Sequence, residues 1–89
     1  MTKIDRNTIE MQVRRILAGQ LDIDMKEIKG TALLTDDLGI DSFGSIEIAY
    51  GLEDEFGIEI SEGDFANVKT VNDVIEYIFS RISSQKRDI

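Results

Sequence analysis

Apolar residues recur at helical spacing in three stretches of this chain, and nowhere do they alternate over the length of a paired strand. Ile9, Val13, Ile16, Leu17 and Leu21 form the first series, Ile48, Ala49, Leu52 and Phe56 the second, and Val71, Val74, Ile75, Ile78, Phe79 and Ile82 the third. Residues at i, i+3, i+4 and i+7 share one face of a helix, and an apolar face must be covered. The pattern therefore predicts an all-α fold, a small bundle of three longer helices plus one short helix. A chain of 89 residues supplies one such domain, expected over 1–89.

Capping residues place the ends. The first helix is expected at about 8–21, opened by an Asn7/Glu10 capping box, with Arg14 and Arg15 on the side away from the stripe. The second is expected at 42–56, starting at Asp41 or Ser42 and stopped by Gly57. A short helix at 62–67 follows Ser61, and the last, at 71–82, follows a Thr70/Asp73 box. Residues 83–89 carry no core pattern and are expected to be a flexible tail. Ile58 and Ile60 flank Glu59 but have no partner strand, so they read as an extended link. The connection 22–40 is long for so small a domain, which usually means tied down or functional. Asp24 with Glu27 can cap a single turn there, Ile23, Ile28, Leu33, Leu34 and Leu38 can anchor it, and Asp36 to Gly39 reads as a turn.

The second helix carries more apolar surface than one core contact needs. Phe43, Ile46 and Tyr50 extend its arc past the stripe, either to pack under the long connection or to meet a partner. Gly44 and Gly51 also fall inside it, each costing about 1 kcal/mol relative to Ala, which suggests close approach of a neighbour.

The formal charge is −8, unevenly spread. Between Gly30 and Val68 there is no Lys or Arg but ten acids, while the remainder is weakly basic. Such a field repels nucleic acid and anionic membrane and favours basic protein partners. No run reaches the length of a membrane span, and residues 1–20 lack the apolar centre of a signal peptide, so a cytoplasmic setting is expected. The chain has no Cys and no His, which removes disulfides, thiolate ligands, a Ser–His–Asp triad and the usual general base. An enzyme is not expected. Nor is a dedicated metal site: Asp22 and Asp24 begin like a calcium loop, but Glu27 stands where that loop requires Gly.

The segment Leu38-Gly39-Ile40-Asp41-Ser42-Phe43-Gly44-Ser45 puts a serine hydroxyl in the first turn of a helix. Free backbone N–H groups and the positive end of the macrodipole favour a phosphate there. From capping alone the plainer reading is favoured, since such helix starts are common: Asp41 is a cap and Ser42 a polar residue beside it.

The wider sequence resembles acyl carrier proteins. Asn7-Thr8-Ile9-Glu10 resembles the start of that family's first helix, and Leu38-Gly39-Ile40-Asp41-Ser42 its modification motif. Leu52 to Ile60 resembles the stretch ending its second helix, and Thr70-Val71-Asn72-Asp73-Val74 the beginning of its last. The resemblance implies a carrier that holds acyl intermediates as thioesters on 4′-phosphopantetheine, derived from coenzyme A and attached to Ser42. It implies that Asp41 helps a holo-synthase (phosphopantetheinyl transferase) bind magnesium and coenzyme A. Glu47, with Asp41, Glu53 and Asp54, would meet basic patches on acyl synthases, ligases and transferases, with Ile46 and Tyr50 as apolar contacts. The implied protein is a monomer acting in fatty-acid or related biosynthesis, and its thiol comes from the prosthetic group.

Phe43 replaces the usual Leu, Gly44 replaces a polar residue, and Gly51 interrupts the helix. Asp41-Ser42-Phe43-Gly44-Ser45 is also similar to the motif of D-alanyl carrier proteins, so a D-alanyl or other aminoacyl carrier is the second reading. From another class, the rival is an acidic helical adaptor with no prosthetic group.

Overall fold

The three apolar stripes meet in one core. Val13 and Leu17 from the first helix, Ile48 and Leu52 from the second, and Val74, Ile75 and Ile78 from the last are all 0–2 % exposed. The computed structural model describes residues 5–86. Its elements are α1 (Arg6–Leu21), a single 3-10 turn (Met25–Glu27), α2 (Ser42–Phe56), α3 (Glu62–Ala66) and α4 (Val71–Lys86). α1 packs against both α2 and α4. Each fully buried Leu or Ile contributes roughly 1.5–3 kcal/mol, so these stripes decide the fold class.

The all-α expectation is met, with corrections at the ends. α1 begins at Arg6, not Thr8, because Asp5 is its cap: the Asp5 carboxylate accepts the Asn7 N–H at 3.2 Å. Glu10 does not reach back to Asn7. It sits instead beside Arg14 and Arg6, the residues one helical turn away on either side. Arg14 is also displaced from its expected place on the solvent side. It is half-buried, and its Nε and Nη2 both donate to the Ile28 carbonyl, at 2.8 and 2.6 Å. α3 stops at Ala66, one residue early, with Asn67 as its cap. α4 runs past Ile82 to Lys86, so 83–86 are helical rather than a loose tail; no Gly or Pro interrupts them and the backbone bonds continue. Residues 87–89 lie outside those described.

The connection 22–40 is tied down. Ile28, Leu34 and Ile40 are buried in the core. The Leu34 N–H donates to Lys69 O at 2.9 Å, Val71 to Ala32 O at 3.1 Å and Asn72 to Gly30 O at 2.9 Å. Leu33 and Thr70 form an isolated antiparallel bridge, and no named strand occurs among the described residues. The link 58–60 belongs to no helix or named strand, and Ile58 is buried in the core.

The Thr70/Asp73 box forms with both bonds: Asp73 N–H donates to Thr70 Oγ1, and Thr70 N–H donates to Asp73 Oδ2, each at 3.1 Å. Lys69 N–H adds a third bond to the same oxygen at 2.9 Å. That backbone N–H, followed by the one from Thr70, holds the Asp73 carboxyl below its ordinary pKa.

Candidate functional site

The long connection delivers Ser42 to the surface by a short sequence of constraints. Gly39 adopts φ 69°, the left-handed conformation that glycine tolerates. Ile40 then enters the core, and its N–H donates to Leu34 O at 2.9 Å. Asp41 turns the chain outward in extended conformation and caps α2, its Oδ1 accepting the Gly44 N–H at 2.7 Å. Ser42 is the first residue of α2, and its side chain is exposed. The Ser45 hydroxyl donates to the Ser42 carbonyl at 2.9 Å, so of the two serines in this turn Ser45 is engaged with the backbone.

Gly44 is explained by this cap. A Cβ there would come within 3.1 Å of Asp41 Oδ1, so the missing side chain lets the carboxylate seat over the N–H. At Gly51 the Cβ position is 3.5 Å from Ile16 Cγ2, an ordinary van der Waals distance that leaves room for a side chain. No close neighbour therefore requires glycine at 51, contrary to the expectation from the sequence.

Ser42 stands at the edge of a groove of about 620 Å³ between α2, α3 and the long connection. From α2 the lining includes Ser42, Ser45, Ile46, Ala49, Tyr50 and Glu53; Leu34, Ile40, Ile60, Phe65 and Val68 make the rest of it largely apolar. Lys69 brings a positive side chain to the lining, immediately after the stretch without bases. The groove could not be foreseen from spacing, because its walls come from segments distant in sequence.

The candidate residues fall in the groove or on an exposed stripe of α2, and Tyr50 belongs to both. Asp41, Ser42, Ile46, Tyr50 and Glu53 belong to the groove. Glu53 is half-buried, and its Oε2 accepts the Ile60 N–H at 2.7 Å, so it brackets the link after α2. Glu47 and Asp54 do not line the groove. Together with Phe43 and Tyr50 they follow i, i+4, i+7 and i+11 spacing, a single exposed stripe alternating aromatic and acidic side chains. Phe43 is 69 % exposed, Tyr50 66 % and Ile46 42 %, which overturns the reading that they pack beneath the connection. Phe43, which the sequence leaves open between packing and partner contact, joins this stripe by its spacing to Glu47 and Tyr50. The Glu47 carboxylate accepts the Gln20 side-chain amide from α1.

Among the described residues no group of three or more acids is arranged to hold a metal ion, and no helix is long and apolar enough to cross a membrane. A family model described as "Phosphopantetheine attachment site" matches residues 12–78, from the middle of α1 to the second turn of α4.

Proposed function

This chain belongs to the phosphopantetheine attachment-site family, and from that membership we propose that 1–89 is a single carrier domain whose 4′-phosphopantetheine is attached to the hydroxyl of Ser42. The observation that carries the choice of residue is the exposed side chain of Ser42 at the first position of α2, beside the groove.

The surroundings suit a phosphodiester. The first turn of a helix has N–H groups without intrahelical acceptors and a partial positive charge. Asp41 adds a nearby negative charge, but its Oδ1 is engaged with the Gly44 N–H. When attached, the group supplies a thiol on a flexible arm, which a chain without Cys cannot provide for itself. The chain's own residues orient and present. Asp41 fixes the turn that projects Ser42, and in the resemblance it also assists the holo-synthase with magnesium and coenzyme A. Phe43, Glu47, Tyr50 and Asp54, in that order along α2, offer a partner a stripe of alternating aromatic and acidic side chains. Ile46 is an apolar contact at the groove's edge. Glu53 is an acid of the same region but is bound to the backbone, so its share in docking is smaller.

On this reading acyl intermediates are carried as thioesters and presented to synthases, ligases and transferases with basic docking patches. The chain makes no bond itself. It acts as a monomer in the cytoplasm, in fatty-acid or related biosynthesis. The largely apolar lining of the groove supports an acyl cargo. The Asp41-Ser42-Phe43-Gly44-Ser45 string favours the second reading, a D-alanyl or other aminoacyl carrier. Family membership favours either carrier over an adaptor with no prosthetic group.

The test is incubation with coenzyme A and a promiscuous phosphopantetheinyl transferase, read by intact mass. The expected result is one added phosphopantetheine, absent in Ser42→Ala. Loading of the product by fatty-acid enzymes supports the acyl reading, and loading only by a D-alanine ligase supports the second.

A further inference from the structure

We propose that Tyr77 and Arg81 are positioning residues that latch α3 onto α4 and so set the width of the groove beside Ser42. α3 has five residues and none is fully buried, so its own length does not fix its place and the core holds it only through one partly covered side chain. Phe65, half-buried, is its one partly covered apolar anchor among residues 62–66.

The remaining hold comes from α4. The Tyr77 hydroxyl donates to Asp64 Oδ2 at 3.0 Å, and Arg81 Nη1 donates to the Tyr77 oxygen at 2.8 Å. The Arg81 guanidinium also lies 5.7 Å from the centre of the Tyr77 ring. Tyr77 and Arg81 are one helical turn apart, so α4 presents them as a unit. Burial, followed by the bond to Asp64, pushes the Tyr77 phenol above its ordinary pKa. Arg81 shares a hollow with the acids Glu53, Glu59 and Asp64, whose field holds its charge on the α3 side.

The geometry carries the consequence. Ser61, Glu62, Phe65 and Ala66 form the α3 wall of the groove. The link ahead of α3 is pinned where Ile60 donates to Glu53. With that point fixed, release of Asp64 lets α3 swing away from α2. The latch stands independently of any attached group; its consequence for a carried cargo rests on the function proposed above.

The test uses the full chain bearing Ser42→Ala, so that its outcome is separate from that of attachment. Since the sequence has no Cys, Ala49→Cys and Ala66→Cys give two unique labels across the groove. Spin-label distances are compared with and without Tyr77→Phe, which keeps the ring and removes the hydroxyl. The expected result is a distribution broadened towards longer distances, with amide hydrogen exchange in 62–67 about tenfold faster and α1 and α2 unchanged. Asp64→Asn should give the same effect and add little to Tyr77→Phe. An unchanged distance distribution, exchange that rises equally in every helix, or fully additive effects would overturn the latch.

Discussion

Asp41 Oδ1 accepts the Gly44 N–H at 2.7 Å, and a Cβ on Gly44 would approach that same oxygen to 3.1 Å. Cap and glycine are thus one device that sets the angle at which the chain leaves Ile40 and presents Ser42. The two glycines of α2 should then respond differently to substitution. Gly51→Ala adds a methyl at ordinary contact distance from Ile16 and should stabilise the fold by about 0.4–1 kcal/mol. Gly44→Ala should gain distinctly less, because the Asp41 carboxylate must shift. Urea titration of both variants checks this, and equal gains would count against the account of the cap.

Arg14 is the second place where a local contact supports the site at a distance. Its guanidinium holds the carbonyl of Ile28, a residue with no exposed surface, through two hydrogen bonds. Arg14→Ala should cost about 1–3 kcal/mol by leaving that carbonyl unpaired. It should also speed amide exchange through residues 22–40. A loss confined to Glu10 pairing, with the connection unaffected, would show that the Ile28 bond contributes little.

Helices were legible in the sequence wherever a local rule decided them. The stripes of α1, α2 and α4, the Gly57 stop and the Thr70/Asp73 box each depend on residues within one or two turns. The start of α1 was misread because Asp5 and Asn7 are both good caps and only the folded backbone chooses between them. The end of α4 was misread because residues 83–86 continue on backbone bonds that leave no apolar pattern. Arg14 was misread because its acceptor lies 14 residues along the chain. At the site, Asp41 and Ser42 could be read from a capping pattern and a resemblance. The groove could not, since Leu34, Phe65 and Lys69 join Ser42 in its lining only through the tertiary fold.

Asp73 gives the fold an acid-sensitive element. Its carboxyl is lowered from the ordinary value by the Lys69 N–H first and the Thr70 N–H next, so the ionised form is the one the fold favours. Its stabilisation is present above the usual Asp range near pH 4 and is lost as pH falls through the lowered folded value. Loss of this cap in Asp73→Ala should therefore cost about 1 kcal/mol at neutral pH, and the gap to wild type should narrow as pH falls below the ordinary Asp range. Thermal melts across that range check the sign; a gap that widens in acid contradicts it.

The exposed stripe on α2 predicts separable effects on docking and stability. Glu47→Lys and Phe43→Ser alter side chains at the surface, so helix content should hold and stability should move by no more than about 0.5 kcal/mol. Transfer to a basic partner should slow, with KM raised about tenfold for Glu47→Lys at low ionic strength. The deficit should shrink as salt rises, because wild-type docking weakens too. Unchanged kinetics at low salt would remove the stripe from the docking surface.

The central claim is that the hydroxyl at the first position of α2 is the tether, and site-resolved fragmentation mass spectrometry of the transferase-treated chain tests it most directly. The account predicts the phosphopantetheine on Ser42 alone, with Ser45 unmodified and still donating to the Ser42 carbonyl. A group found on Ser45 or any other residue, or none at all, contradicts it.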